Sequence, residues 1–396
     1  MKKLKRMKIW LAVVLTVVLV GGCGGNTSDK KQDSASELIA DASATEIGTQ
    51  SEADKGTEAE TETTAEVPTE DPHKYDFTLC FAGDISLADD AVTTAKLQEN
   101  DNDLSQCISP ELLKIMNEAD LMCVNNEFTF STNGSPLEGK TYTFRSNPER
   151  VMFLEEMGVD IALLANNHVH DYGEISLLDT LDTLNSAGIK YFGAGKNLEE
   201  AMSPVYFEID GKTIAYVAAS RAEKYKMTPQ ATEDSAGILR CYDPALFIEV
   251  IKEADANADF VIANVHWGTE YSTVLEEAQL TTGKQYIDAG ADVIIGSHSH
   301  CLQGMEYYNG KPIIYSLGNY WFNSKTLDSM LIQLHFSGDS TSERLEVQMV
   351  PAIQSDCTVQ FARDEEEQER IYSYMESISI NVEIDENGIV TESESQ

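Results

Sequence analysis

An α/β fold, with a two-layer β-sandwich core flanked by helices (αββα), is what this sequence predicts. Three observations carry that expectation. Short apolar runs alternate with longer helical patterns, which is the mark of βαβ units and a largely parallel buried sheet. Two Asp-Gly or Asn-Gly signals place hairpins within the alternation. Five clusters of polar, ligand-type residues each follow directly on an apolar run, where open α/β sheets hold their ligands.

The chain has 396 residues and a formal charge of −39, from 28 Lys and Arg against 67 Asp and Glu. Nucleic acid is therefore excluded as a partner, because phosphate binding needs a basic face. An anionic substrate requires local positive charge, such as a bound metal.

The N-terminus reads as an address. Lys2, Lys3, Lys5, Arg6 and Lys8 precede an apolar run from Ile9 to Val20. At about 12 residues this run is too short for a free-standing membrane span and suits a signal-peptide core. It ends in Val20-Gly21-Gly22-Cys23. Residues 1–23 are thus expected to be a lipoprotein signal peptide with Cys23 as the lipidation site. That places the protein at the cell membrane, lipid-anchored on the extracellular face of a bacterium, with a Gram-positive envelope the better fit. Residues 24–74 follow as an acidic tether. Positions 26–73 hold 13 Asp or Glu, 3 Lys and no aromatic residue, too little apolar surface to order a segment.

The folded domain is expected over 75–362. Strands are predicted at Phe77–Ala82, Leu121–Asn125, Ile161–Ala165, Phe260–Val265 and Val293–Gly296. Helices are predicted at Pro110–Asn117, Pro148–Met157, Ile175–Ser186, Pro244–Ala254 and Glu276–Ala289. Hairpins over Val205–Ser220 and Met305–Ser316 turn at Asp210-Gly211 and Asn309-Gly310. Residues 363–396 form a charged helix and a tail, read as packing on the domain edge.

The strand-end clusters are Gly83-Asp84, Asn126-Glu127, Asn166-Asn167-His168, His266-Trp267-Gly268-Thr269-Glu270 and Gly296-Ser297-His298-Ser299-His300. Five of the seven histidines lie in or beside them, which packing alone does not explain. His170 close behind is either a supporting residue or simply exposed. Mixed nitrogen and oxygen ligands without thiolate suit one or two divalent ions, Mn, Fe or Zn rather than Ca or Mg. Two such ions activate water and neutralise an oxyanion leaving group. Singly, each residue has a plainer role: Asp84 as a cap, Asn167 as a turn residue, His266 as a packed core histidine.

The segments FAGDISL, NNEFTF, YTFRSNP, LANNHVHDYG, HWGTEY, GSHSHCLQGMEYY and IIYSLGNYWF together resemble the CapA family. These are poly-γ-glutamate capsule-synthesis proteins within the calcineurin-like metallophosphoesterase superfamily. The resemblance runs from about Phe77 to Phe322. It implies metal ligation by Asp84, Glu127, Asn167, His266, His298 and His300, with His168 as the catalytic imidazole that protonates or orients the leaving group. Arg145 in YTFRSNP is a candidate clamp for an anionic substrate group. One departure is clear: the superfamily's first motif is Asp-x-His, and Ser86 stands at its third position. A hydroxyl is a poorer ligand, so one metal position is expected to be the weaker.

Two functions follow as expectations. One is a metal-dependent hydrolase of phosphoester-like bonds. The other is a non-catalytic polymer-binding or assembly subunit of the capsule machinery. Either would meet an anionic cell-surface polymer or its precursor, the membrane subunits of capsule synthesis, and the membrane through its lipid anchor.

Overall fold

A computed structural model of the chain describes residues 71, 73–223 and 226–393. The expected signal peptide, Cys23 and nearly all of the tether lie outside these residues. Among the described residues no helix is long and apolar enough to cross a membrane. Asp71 already bonds to the domain, its Oδ2 accepting from Ser340 N at 3.1 Å and Ser340 Oγ at 2.7 Å.

The strands of the core, in chain order, are β1 Tyr75–Ile85, β2 Leu121–Asn126, β3 Ile161–Leu163, β4 Lys190–Phe192, β5 Val205–Ile209, β6 Lys212–Ser220, β7 Phe260–His266, β8 Val293–Ser297, β9 Leu302–Tyr308, β10 Lys311–Leu317, β11 Asn319–Trp321, β12 Leu327–Gly338, β13 Glu343–Ser355, β14 Thr358–Phe361, β15 Val382–Ile384 and β16 Ile389–Glu392. One sheet runs β15-β16-β13-β12-β1-β2-β3-β4, with β11 paired to β1 and β14 to β13. The other runs β9-β10-β8-β7-β6-β5. In the first sheet β1 to β4 are parallel, as are β6, β7, β8 and β10 in the second.

The two sheets pack face to face over an apolar layer to which both contribute, including Phe77, Phe81, Tyr216, Ile262, Ile295, Ile314 and Phe336. A second apolar layer lies between the first sheet and helices α1 Val92–Glu99, α2 Pro110–Glu118, α3 Val151–Glu156 and α4 Glu174–Ala187. A third lies between the second sheet and helices α5 Ala245–Asp255 and α6 Glu277–Asp288. This is the αββα sandwich the sequence predicts. Strands buried on both faces read as unbroken apolar runs, which is why the parallel strands were visible in the sequence.

Both predicted hairpins form. Asp210 and Gly211 have φ of 49° and 79°, and Asn309 and Gly310 have 54° and 74°, positive at both central positions as a type I′ turn requires. The predicted helix Pro148–Met157 is instead a 3₁₀ turn, Pro148–Arg150, followed by α3. Past residue 362 the sheet continues rather than ending. Helix α7 Glu365–Ile378 sends Ile371, Tyr372 and Met375 into the central layer, and β16 pairs with β13.

All six cysteines among the described residues are free thiols, five of them buried. Burial pushes the Cys80 thiol up to about 12.

Candidate metal centre

The ends of β1, β2, β7 and β8 converge at one end of the sandwich. The approach of β1 is tight: a Cβ on Gly83 would lie 2.0 Å from Gly318 O, so only glycine lets the strand pass and bring Asp84 inward. After β8 the chain turns sharply. His298 and His300 have φ of 96° and 53°, strained for non-glycine residues. Such strain persists only where surrounding structure enforces it, and it turns both imidazoles into the same space.

Glu127 is at the centre of the cluster. It is fully buried, and its Oε1 has no hydrogen-bond partner. Three imidazole nitrogens face that oxygen: His266 Nε2 at 3.6 Å, His168 Nε2 at 3.9 Å and His300 Nε2 at 4.0 Å. Burial, then the charge of Asp84, pushes the Glu127 carboxyl well above its usual range. Two groups of ligand atoms close to within 4.8 Å of one another, Glu127 with His266 and His298, and Asp84 with Glu127 and His300. Asn167 joins them, since His266 Nε2 donates to its Oδ1 at 2.7 Å. The structure therefore brings together all six expected ligands.

The donor set fits a divalent cation. A buried carboxylate oxygen without a donor costs free energy of desolvation, and a cation among these atoms would remove that cost. Burial, then mutual repulsion with His300, pulls His298 down to about 3. Burial and neighbouring imidazoles push His266 well below its usual value too. Both rings are therefore neutral near pH 7, the form in which imidazole binds metal. His300 differs. Burial opposes its charge, but the Glu127 charge and the Asp84 hydrogen bond outweigh that and raise it to about 10.

Asn166 and Ser297 stand in the strand-end clusters the sequence shows, but their supporting roles, and Asn125 and Asn319 altogether, escape a sequence reading. Asn125 donates to Asp84 Oδ1 at 2.7 Å and lies 3.4 Å from Glu127 Oε2, so one amide orients both carboxylates. Asn166 donates to Asn125 Oδ1 at 3.0 Å and to Asn126 O at 2.9 Å, tying the second and third strand ends together. Ser297 Oγ is 2.8 Å from His266 Nδ1, and His300 Nδ1 donates to Asn319 Oδ1 at 2.9 Å. A doubled Asn or a Ser after a strand reads as a turn, so only the motif context could have flagged them.

His168 donates from Nδ1 to Asp171 Oδ2 at 2.6 Å. Asp171 is wholly buried, accepts from Phe144 N at 2.7 Å, and pairs through Oδ1 with Lys140 Nζ at 2.8 Å. Lys140 reaches Glu223 at 2.8 Å as well. Burial draws the His168 pKa down against the pull of Asp171. His170 is half-buried and belongs to neither ligand group.

Arg145 is not brought to the cluster. Its guanidinium lies 4.3 Å over the Tyr172 ring and donates to Asn133 O at 3.1 Å. The short strand Arg145–Ser146 pairs with Thr129–Phe130, and the side chain goes to these neighbours instead. Ser86 Oγ accepts from Ala88 N at 3.4 Å and occupies itself with the local turn.

Residues 78–324 match the family model described as bacterial capsule synthesis protein PGA_cap. The PGA biosynthesis protein CapA of Bacillus subtilis (strain 168) is 33% identical over 273 residues, covering 67% of this chain and 69% of that one. The capsule biosynthesis protein CapA of Bacillus anthracis is 34% identical over 209 residues, covering 51% of this chain and only 50% of that one. Among solved structures, a putative 5′-nucleotidase from Staphylococcus aureus aligns with a TM-score of 0.42 at 17% identity, covering 76% of this chain and 58% of that one.

Proposed function

The chain belongs to the bacterial capsule synthesis protein family PGA_cap, and from that premise we propose that it is a lipid-anchored surface protein that hydrolyses phosphoester-like bonds with a divalent metal during capsule or poly-γ-glutamate synthesis or export. The observation that carries this reading is the unpartnered Oε1 of Glu127, buried among three imidazole nitrogens.

Asp84, Glu127, Asn167, His266, His298 and His300 would hold one or two ions. A bound ion would supply Lewis-acid polarisation of a substrate oxygen. The remaining chemistry belongs to the chain. Asp171 fixes the His168 ring with its Nδ1–H inward, so Nε2 faces the cluster as a proton acceptor. A proton taken up there is stabilised by the Asp171 carboxylate and passes to the leaving oxygen. Lys140 holds Asp171 in place from behind. Cys23, beyond the described residues, would carry the lipid, and the acidic tether would carry the domain away from the bilayer.

Ser86 favours the second reading, a polymer-binding or assembly subunit. Its hydroxyl adds no imidazole to the Asp84–Glu127–His300 group, which leaves that position the weaker for an ion.

Purified mature protein reconstituted with Mn²⁺ tests the choice. Hydrolysis of a generic phosphodiester or phosphomonoester, lost in the His298→Ala/His300→Ala double variant, is the expected result. Metal binding with no hydrolysis, together with loss of capsule in cells carrying the folded double variant, would move the protein to the second reading.

A further inference from the structure

The peptide unit between Asn167 and His168 is held at both ends. His168 N donates to Asn166 Oδ1 at 3.0 Å. The Asn167 carbonyl oxygen accepts twice, from Lys140 Nζ and from Thr228 Oγ1, the latter at 2.9 Å. A carbonyl oxygen has two lone pairs, and side chains 27 and 61 positions away take both. The same unit carries two residues of the cluster. Asn167 Oδ1 meets His266 Nε2 at 2.7 Å, and His168 Nε2 faces Glu127. The unit is planar, so rotating it would swing both side chains.

Both donors trace back to one residue outside the cluster. Arg240 donates through Nη1 to Thr228 O and through Nη2 to Glu223 O, the latter at 2.6 Å. Glu223 in turn holds Lys140 Nζ at 2.8 Å. Arg240 is buried and tied to the sandwich: it bridges Ser220 at the end of β6, and its backbone N donates to Gln230 Oε1 at 2.8 Å. A planar guanidinium fixes two acceptors relative to each other, which an ammonium does less well.

We infer that Arg240 is a positioning residue for the metal centre, acting through Thr228 and Glu223 to set the plane of the Asn167–His168 peptide. The inference rests on the proposed function, in which Asn167 is a ligand and His168 carries the proton, and it names what keeps the two in register. Thr228 is the shorter arm. It is wholly buried, and its hydroxyl goes to Asn167 O. The arm through Glu223 and Lys140 also reaches Asp171, which orients the His168 ring. Groups one step behind a metal's ligands typically change its affinity by about 10–100-fold when removed.

The test is Mn²⁺ affinity of the folded full chain, measured against a competing chelator. Thr228→Val keeps the shape and removes the hydroxyl, and should weaken Mn²⁺ about tenfold or more. Thr228→Ser restores the donor and should stay within about threefold of wild type. Arg240→Met should weaken Mn²⁺ at least as much as Thr228→Val, with Arg240→Lys in between. Because one residue acts through the other, Thr228→Val should cost less in the Arg240→Met background than in wild type. In the metal-free proteins, hydrogen exchange at the His168 amide should be faster in Thr228→Val, with the amides of β7 unchanged. Wild-type Mn²⁺ affinity in both folded Thr228→Val and folded Arg240→Met would overturn the positioning role and leave the proposed function standing. A wild type that takes up no metal would overturn the proposed function. The exchange rates would then decide whether Arg240 sets the peptide, and a His168 amide as protected as in wild type would overturn that too.

Discussion

His300 Nδ1 donates to Asp84 Oδ2 at 2.9 Å across 216 positions of sequence. The contact joins the end of the first strand to the strained turn after β8. It also means that, without metal, His300 holds a proton up to about pH 10. Ligation needs a free nitrogen lone pair, so an ion must displace that proton. Metal affinity should therefore rise by about tenfold per pH unit between pH 6.5 and 8.5. Titration in buffers of different ionisation enthalpy should register about one proton released per chain. A pH-independent affinity would contradict this.

His298 makes the metal-free protein sensitive to acid. Its folded pKa is about 3 against an ordinary 6.5, so the unfolded chain binds the proton first. Stability from this residue is present above about pH 6.5 and is lost as the pH falls towards 3, by about 1.4 kcal/mol per unit. Glu127, raised above 4.5, acts in the opposite direction. The comparison is therefore with His298→Asn, whose urea midpoint should fall less steeply over the same range. Parallel curves for the two proteins would exclude the effect.

Glu127→Gln should change sign with metal. An amide keeps the shape and removes a charge that burial and Asp84 disfavour, so the stripped variant should be no less stable than stripped wild type at pH 7. Addition of Mn²⁺ or Zn²⁺ should raise the melting temperature of wild type and leave the variant where it was. A variant stabilised as much as wild type would remove Glu127 from the site.

Lys140→Met should cost about 3 kcal/mol or more, because it strands Asp171 and Glu223 without their shared cation. The Lys140 side chain is only 5% exposed, so water cannot replace it. Chemical denaturation gives the value directly. A loss below about 1 kcal/mol would show that the pair is solvated in solution.

How much of this was legible beforehand depends on the physical signal each part carries. Parallel strands buried on both faces announce themselves as apolar runs, so Leu121–Asn126 and Phe260–His266 were readable to within a residue or two. The candidate ligands at their ends were readable for the same reason. The long pair β12 and β13 mixes buried and half-buried positions over 12 and 13 residues, and the sequence shows only a weak alternation there. Arg145 was plausible as an anion clamp by residue type alone. Its direction depends on Tyr172 and Asn133, which come together only in the folded chain. Lys140 carries no local signal at all. Its partners lie 31 and 83 positions away, and a lysine after Gly139 reads as an exposed turn.

Elemental analysis of the purified mature domain is the most direct test of the central claim that six distant side chains make one cation site. After reconstitution with Mn, Fe or Zn and removal of free ions, wild type should retain one to two ions per chain, and Glu127→Gln close to none. A wild-type protein that leaves every one of these reconstitutions metal-free, while still folded, would contradict the account.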